Sequence, residues 1–387
     1  MFDLYSGNTP SRLNKEHFKG TVNWISSGEL KEHYIYSSKE QISEEAAKSL
    51  KLLPVGTFVI AIYGLEADGV RGTGSITQEP STISQACMSF IPKGVIENEF
   101  LYSWYKKHGN VIGIRYAQGT KQQNLSYDIL EKFRIAYPNT KEQEKLNKFI
   151  SLLDERIATQ NKIIEDLKKL KSAIIEKVFC SPNQKNPMCR IEGFEQALST
   201  YKMCDFSSRI ATKNKDSKCS LVLTIAAQYG LVNQESFFNK SVASENLTGY
   251  YLLHKGEFAY NRSYSAGYDW GAVKRLDNYD EGVLSTLYIC FKINETIVDS
   301  DYLTYYFEST KWHRGLSDIA GEGARNHGLL NVSITDYFNT KHRFPVIEEQ
   351  KAIAKMLNTI TEKERKATLL GECYQKQKQY LLRQMFI

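Results

Sequence analysis

The longest regularity in the chain is a seven-residue spacing of apolar side chains that starts shortly after Pro138. Leu146, Ile150, Leu153, Ile157, Ile164, Leu167, Ile174 and Val178 fall on the a and d positions of successive heptads, and Gln160 and Lys171 are the polar intrusions on that seam. Pro138 closes the preceding extended stretch, Asn139-Thr140 offers a capping side chain, and Glu142 and Glu144 put negative charge in the first turn. The pattern predicts one helix within 138–179, about 38 residues and so roughly 57 Å long at 1.5 Å per residue. A helix with so continuous an apolar stripe needs a second helix to cover it.

The same pattern returns 207 positions later (345 − 138): Pro345 answers Pro138, and Glu349-Gln350 answers Glu142-Gln143. Leu357, Ile360, Tyr374, Leu381 and Met385 then answer Ile150, Leu153, Leu167, Ile174 and Val178. Glu364, Gly371 and Lys378 interrupt the second seam. Polar seam residues fix register at some cost in stability, so the two helices are expected to pair as an antiparallel coiled coil within the chain. The blander reading is two amphipathic helices, each lying on its own domain.

Between the helices the pattern changes to short apolar runs bounded by turn residues. Over 1–137, Thr21 to Ile25, Thr57 to Tyr63 and Ser84 to Ile91 read as strands, Ser43 to Leu50 and Phe100 to Lys107 as helices, and Phe133 to Tyr137 as a final strand. Residues 180–344 repeat this order at low identity. His254-Lys255-Gly256-Glu257-Phe258 echoes Pro54 to Phe58, Ser285 to Phe291 echoes Ser84 to Phe90, and Gly323-Ala324-Arg325 echoes Gly119-Thr120-Lys121. Met203-Cys204-Asp205 aligns with Met1-Phe2-Asp3, which leaves 181–202 without a counterpart in the first half. The fold class is therefore α+β: two mixed α/β domains, 1–137 (short at its N-terminus) and 180–344, separated by two long helices, 138–179 and 345–387, in a pseudo-two-fold repeat. Spacers that agree better than the domains they join imply a common task for the spacers and a separate one for each domain.

Composition adds exclusions more than assignments. With 42% hydrophobic and 24% charged residues the 387-residue chain is ordinary for a soluble globular protein. It holds no apolar run of about 18 residues, so a cytoplasmic protein without membrane contact is expected. Seven cysteines without a Cys-x-x-Cys pair support neither a disulfide framework nor a zinc site. A net charge of +6 permits a nucleic-acid partner without requiring one, so any such role must rest on local groups or on a partner's help.

No phosphate-binding glycine loop, dinucleotide fingerprint or amino-methyltransferase motif is present. Glu349-Gln350-Lys351 imitates half of a nuclease site, but its first-turn position favours helix capping, and its counterpart lacks the lysine. No catalytic residue, cofactor site or metal ligand is expected. The polar loops carry more. Ser26 and Ser27, Tyr63, Arg71 and Thr73, and Lys121, Gln122 and Gln123 sit on glycine-punctuated loops of the first half. Arg262, Tyr264, Tyr268 and Lys274, then Arg325, Asn326 and His327, do so in the second. Amides and cations on such loops reach base edges and phosphates, although each alone is more often a solvated surface residue. Gly72-Thr73-Gly74-Ser75 is more plainly a hairpin turn than a phosphate nest.

Gly7-Asn8-Thr9-Pro10-Ser11 with Trp24 to Leu30, Gly119 to Leu125, and Pro138 with Glu142-Gln143 and the heptad helix resemble the specificity subunit of type I restriction-modification enzymes. Gly323 to Leu330 with Pro345 and Glu349-Gln350 resembles a second target-recognition domain of that family, so the likeness covers nearly the whole chain. It implies a non-enzymatic subunit for double-stranded DNA, each domain reading one half of a gapped target. It also implies two methyltransferase subunits docked on the helices and separate motor-nuclease subunits. S-adenosylmethionine, ATP and Mg would belong to those partners. The chain departs from the family pattern at its shortened start. The alternative from another class is a coiled-coil scaffold or adaptor that never touches DNA.

Overall fold

A computed structural model describes residues 2–239, 246–263, 267–319, 330 and 332–386. The chain forms two compact units, one made of Met1–Asn161 with Leu369–Ile387 and the other of Lys162–Thr368.

In the first unit the strands are β1 (Phe2–Ser6), β2 (Val22–Ile25), β3 (Tyr34–Ile35), β4 (Gln41–Ile42), β5 (Phe58–Ala61), β6 (Gly74–Thr77), β7 (Ser81–Ile83) and β8 (Cys87–Pro92). The helices are α1 (Glu44–Lys48), α2 (Asn98–Tyr116) and α3 (Tyr127–Glu131), followed by the start of the long α4 (Thr140–Val178). The main sheet has the order β1-β8-β5-β6-β3, and a smaller one the order β4-β2-β7. All four residues of β5 are buried, the pattern of a strand covered on both faces. Helix α2 covers one face with Phe100, Leu101, Trp104, Tyr105 and Ile112. It is much longer than the expected stretch from Phe100 to Lys107, because its glycines are sites of close approach rather than helix ends. A Cβ on Gly113 would lie 2.5 Å from the Arg71 side chain, and one on Gly109 would lie 2.7 Å from the Tyr105 ring.

The strand expected over Phe133 to Tyr137 is absent. The second unit shows why. There β9 (Ser199–Lys202), α5 (Met203–Phe206) and β10 (Ser207–Arg209) precede the body of the domain, and β18 (Lys341–Phe344), the counterpart of 134–137, pairs antiparallel with β9. Arg134 to Tyr137 has the right sequence for an edge strand but no neighbour among the described residues to pair with.

The rest of the second unit contains β11 (Leu223–Ala226), β12 (Gly230–Asn233), α6 (Gln234–Phe238), β13 (Tyr251–His254), β14 (Phe258–Asn261), β15 (Ala272–Arg275), β16 (Glu281–Leu284) and β17 (Ile289–Ile293). Helices α7 (Ser300–Tyr306), α8 (His313–Ser317) and α9 (Ile334–Asn339) follow, then β18 and α10 (Ile347–Met385). The sheet order β10-β17-β14-β15 repeats β1-β8-β5-β6. Phe258 faces Phe291 as Phe58 faces Phe90, which makes Ser207, opposite Ile293, the match of Phe2, opposite Pro92. The expected alignment of Met203 with Met1 is thus displaced by a few residues: the helical turn Met203–Phe206 precedes the match of β1.

The repeat extends to single hydrogen bonds. Gln143, fully buried, accepts from the Glu97 amide (2.9 Å) and donates to the carbonyls of Val95 and Pro138 (both 2.9 Å). Gln350 accepts from the Asp299 amide (2.9 Å) and donates to Ile297 and Pro345 (both 3.0 Å). Each glutamine ties the start of a long helix to the loop before its own domain's helix, a buried clamp that the pairing of Glu142-Gln143 with Glu349-Gln350 did not reveal.

Helices α4 and α10 are 39 residues each. Seam positions from Leu146 through Ile150, Leu153, Ile157, Ile164, Leu167 and Ile174 to Val178 are buried or half-buried, whereas Leu152, Ile163 and Leu170 are exposed. On α10, Leu357, Ile360, Tyr374 and Leu381 likewise turn inward. In the first unit Asp154 pairs with Lys378, and Arg156 lies 4.3 Å over the Tyr374 ring, so chain numbers run in opposite directions. In the second unit Lys171 meets Glu364 at 3.4 Å, while Ile175 and Val178 share a core with Ile353 and Leu357. Two polar seam residues, Lys171 and Glu364, pair with each other, and Lys378 pairs with Asp154 beside the seam, an arrangement that penalises a shifted register.

Candidate nucleic-acid interface

In the first unit the loops that carry the sequence-selected residues are laid side by side by main-chain hydrogen bonds. Ser84 N–H donates to Ile25 O (2.9 Å), Ile62 N–H to Ala86 O (2.9 Å), and Leu125 N–H to Ile62 O (2.8 Å). This row joins the turn after β2, the loop after β5, and the segment from Gln118 to Leu125 at one end of the domain. The glycine motif near the start serves it: Gly7 lies so close to Ile83 that a Cβ would come within 2.1 Å of its carbonyl oxygen, and the Trp24 indole donates to Asn8 O (3.0 Å).

Ser26 caps the short turn Ser27–Glu29, its hydroxyl donating to Glu29 at 2.6 Å, so Ser26 and Ser27 are half-buried and shape the turn. Tyr63 is exposed and bridges to Asn124, while the Thr73 hydroxyl closes its own turn on Val70 O (2.7 Å). Arg71 lays its stem on Gly113 and donates to Gln123 Oε1 at 2.6 Å. The Gln123 amide donates to Glu66 (2.8 Å), which holds that carboxyl below the usual range, and the Gln123 carbonyl accepts from Leu65.

Gln118 and Asn124 exchange two main-chain hydrogen bonds, 2.8 and 2.9 Å, closing a loop that turns at Gly119 with φ +105°. Lys121 and Gln122 stand exposed at its apex with no side-chain partner among the described residues. A free ammonium and a free amide on an anchored loop suit phosphate and base-edge contacts respectively. The other selected residues here are the frame that presents them. Asn124, which the sequence groups with those loop residues, belongs to that frame through its bonds to Gln118, and so does Glu66, which sequence did not single out because only the fold brings it to Gln123.

The second unit builds the same end differently. Arg262 donates to Leu287 O through Nε and Nη2 (3.3 and 3.1 Å) and to Val332 O through Nη1 (3.1 Å), and its carbonyl accepts from Leu330 (2.9 Å). The main-chain bond from Leu330 repeats that from Leu125 to Ile62, while the Arg262 side chain makes the junction to Leu287 that Ile62 N–H makes to Ala86 in the first unit. Tyr268 is half-buried, and burial with a nearby Glu308 raises its phenol pKa. Lys274 lies inside the sheet opposite Ala259, not in the loop beyond β14. Burial pushes its pKa down, Glu308 opposes that shift, and Lys171 adds to it. Its neighbours Glu308 and Lys171 place its side chain at a face of the sheet rather than on a loop. Tyr264, Arg325, Asn326 and His327 lie outside the described residues.

Residues 1–169 match the sequence family described as the type I restriction modification DNA specificity domain. This stretch of the chain is similar to a type I restriction-modification specificity domain. Two curated relatives carry the corresponding name. The MjaIX specificity subunit of Methanocaldococcus jannaschii is 29% identical over 183 residues, 46% of this chain and 41% of that protein. The EcoR124I/EcoR124II specificity subunit of Escherichia coli is 31% identical over 168 residues, 42% of this chain and 40% of that protein. These alignments span about two-fifths of each relative's length.

Beyond the matched stretch, solved structures extend the likeness of fold. The S subunit of a type I restriction-modification system from M. genitalium superposes over 100% of this chain and 94% of its own, with TM-score 0.54 and 16% identity. A chain from a structure concerned with complex assembly and conformational transition of the type I R-M system covers 95% of this chain and 92% of its own, with TM-score 0.56 and 13% identity. The fold of two α/β domains with two long helices is therefore shared along nearly the whole chain. Among the described residues no helix is long and apolar enough to cross a membrane.

Proposed function

We propose that the chain is the DNA sequence-recognition subunit of a type I restriction-modification complex, each unit reading one half of a gapped target. The observation that carries this reading is the loop end of the specificity domain, with Lys121 and Gln122 unengaged above a hydrogen-bonded frame. The second unit repeats the underlying sheet order and loop junction, with Arg262 at the corresponding place. On this reading the chain performs no chemistry. It directs adenine methylation and restriction by two methyltransferase subunits and by motor-nuclease subunits, which bring S-adenosylmethionine, ATP and Mg, and it works in the cytoplasm. The test is a gel shift with duplex DNA, with and without co-expressed methyltransferase subunit, followed by sequencing of the methylated sites. A gapped motif that appears only when this chain is present supports the proposal. A chain that binds methyltransferase but confers no motif is the coiled-coil adaptor instead.

A further inference from the structure

We infer that the hairpin β11–β12 is a base-reading element of the second unit, with Gln228 and Tyr229 at its tip entering the DNA major groove; this rests on the recognition function proposed above. The internal repeat locates the tip. In the first unit Trp24 pairs with Thr82 in the parallel ladder of β2 and β7, and in the second Val222 pairs with Val283 in the same sense. Thr224 to Ala227 therefore stand where Ser26 to Glu29 make their closed turn, at the loop end of the domain. Here the chain continues as a hairpin instead. Strand β11 runs on past the end of β16, its Thr224 hydroxyl 3.1 Å from the Tyr288 hydroxyl. Tyr288 follows Leu287, whose carbonyl accepts from Arg262, so the hairpin rises beside the loop junction that Arg262 ties together.

The hairpin is built to hold its tip still. Its register runs from Leu223↔Asn233 to Ala226↔Gly230, and Leu223, Ile225 and Leu231 are buried in the core beneath it. Leu223 packs so closely on β16 that a Cβ on Gly282 would come within 2.3 Å of it. At the turn the Tyr229 amide donates to Ala226 O (2.9 Å), and Gly230 takes φ +86°, where glycine is favoured. Beyond that frame Gln228 and Tyr229 are exposed, Tyr229 at 69%, with no side-chain partner among the described residues. A single exposed tyrosine is ordinary on a protein surface. The rigid mount, the free amide beside it and the local charge set this one apart.

Neither 221–234 nor 285–288 contains an acidic residue, so no carboxylate of these segments repels a phosphate. The major groove, about 12 Å wide, admits a two-stranded β-ribbon. A glutamine amide matches adenine, accepting from N6 and donating to N7, and an aromatic ring packs on a thymine methyl. The first unit closes the matching turn on Glu29 and presents Lys121 and Gln122 from another loop. The two halves of the target are thus read by different elements of one fold.

The assay is sequencing of methylated sites in cells that express the chain, or its variants, with the methyltransferase partner. The second half is the one that Lys121→Ala with Gln122→Ala leaves intact. Gln228→Ala should relax one adenine there about tenfold, and Gln228→Glu, which keeps an acceptor and loses the donors, should shift that position toward cytosine. Tyr229→Ala should relax an adjacent thymine, with rescue by Tyr229→Phe. The other half and the gap should not change. Both side chains are exposed, so thermal transitions should match wild type, and misfolding cannot produce the base switch of Gln228→Glu. A gapped motif that the alanine variants leave unchanged in its second half, or relax in its first, overturns this inference alone. A wild-type chain that confers no gapped motif overturns the recognition function itself, and the inference with it.

Discussion

Replacing Gln350 with alanine should cost far more than its distance from any DNA-facing loop implies. The side chain is 1% exposed and makes three hydrogen bonds, accepting from Asp299 and donating to Ile297 and Pro345. Truncation leaves one buried amide and two buried carbonyls without their partner. At about 1 to 2 kcal/mol for each stranded group, discounted for relaxation and water entry, the loss is about 3 to 5 kcal/mol. The effect should be local, because the three partners lie on the loop before α7 and at the start of α10. Hydrogen exchange is the discriminating assay: amides near 297–299 and 346–350 should lose protection, while those at 95–97 and 142–146 keep theirs. Gln143→Ala should give the mirror image. Gln350→Glu separates shape from bonding, since it keeps the volume but turns a carboxylate oxygen toward the two carbonyls. If Gln350→Ala costs under about 1 kcal/mol, or Gln350→Glu behaves as wild type, the clamp does not hold the domain to its helix.

His342 sits buried between the Tyr306 hydroxyl (3.0 Å from Nδ1) and the Thr340 hydroxyl (2.8 Å from Nε2), and burial lowers its pKa to about 3. Its folded pKa lies below the unfolded value of about 6.5, so its stabilising contribution is complete above that pH and falls at up to about 1.4 kcal/mol per unit as pH drops toward 3. Urea unfolding across that window should show this slope in wild type and not in His342→Asn. Arg262→Ala removes the bonds to Leu287 and Val332, so exchange protection of Leu330 should fall while that of Leu125, its counterpart in the first unit, is unchanged. Gly113→Val should displace Arg71 and free Gln123, seen as faster exchange at Leu65 and Leu125 with only a modest fall in the thermal transition.

How much of this was legible in sequence follows from the range of the forces involved. The heptad seam repeats over many turns, so the long helices and their antiparallel pairing could be read from spacing, whereas the meeting of Lys171 with Glu364 could not. That the two domains share one order of segments was legible through the internal repeat, because the stretches around Phe58 and Phe90 recur around Phe258 and Phe291, but the order of strands within the sheet was not. The strand at Phe133 to Tyr137 was misread because an edge strand exists only if something pairs with it, and local alternation carries no sign of the neighbour. Helix α2 was cut short because glycine usually weakens a helix, whereas here its missing Cβ admits Arg71. The candidate interface was legible as glycine-bounded polar loops. Which members are free and which are structural was not, since Arg71, Gln123 and Arg262 are engaged by residues far away in the chain.

The central claim, that each unit reads its own half of a two-part target, is tested most directly by sequencing methylated DNA from cells that express this chain with its methyltransferase partner. The chain should confer one gapped motif, and the double variant Lys121→Ala with Gln122→Ala should relax bases in one half only, by about 1 to 3 kcal/mol of discrimination for each lost bidentate contact. Absence of any motif, or degradation of both halves together by that variant, would contradict it.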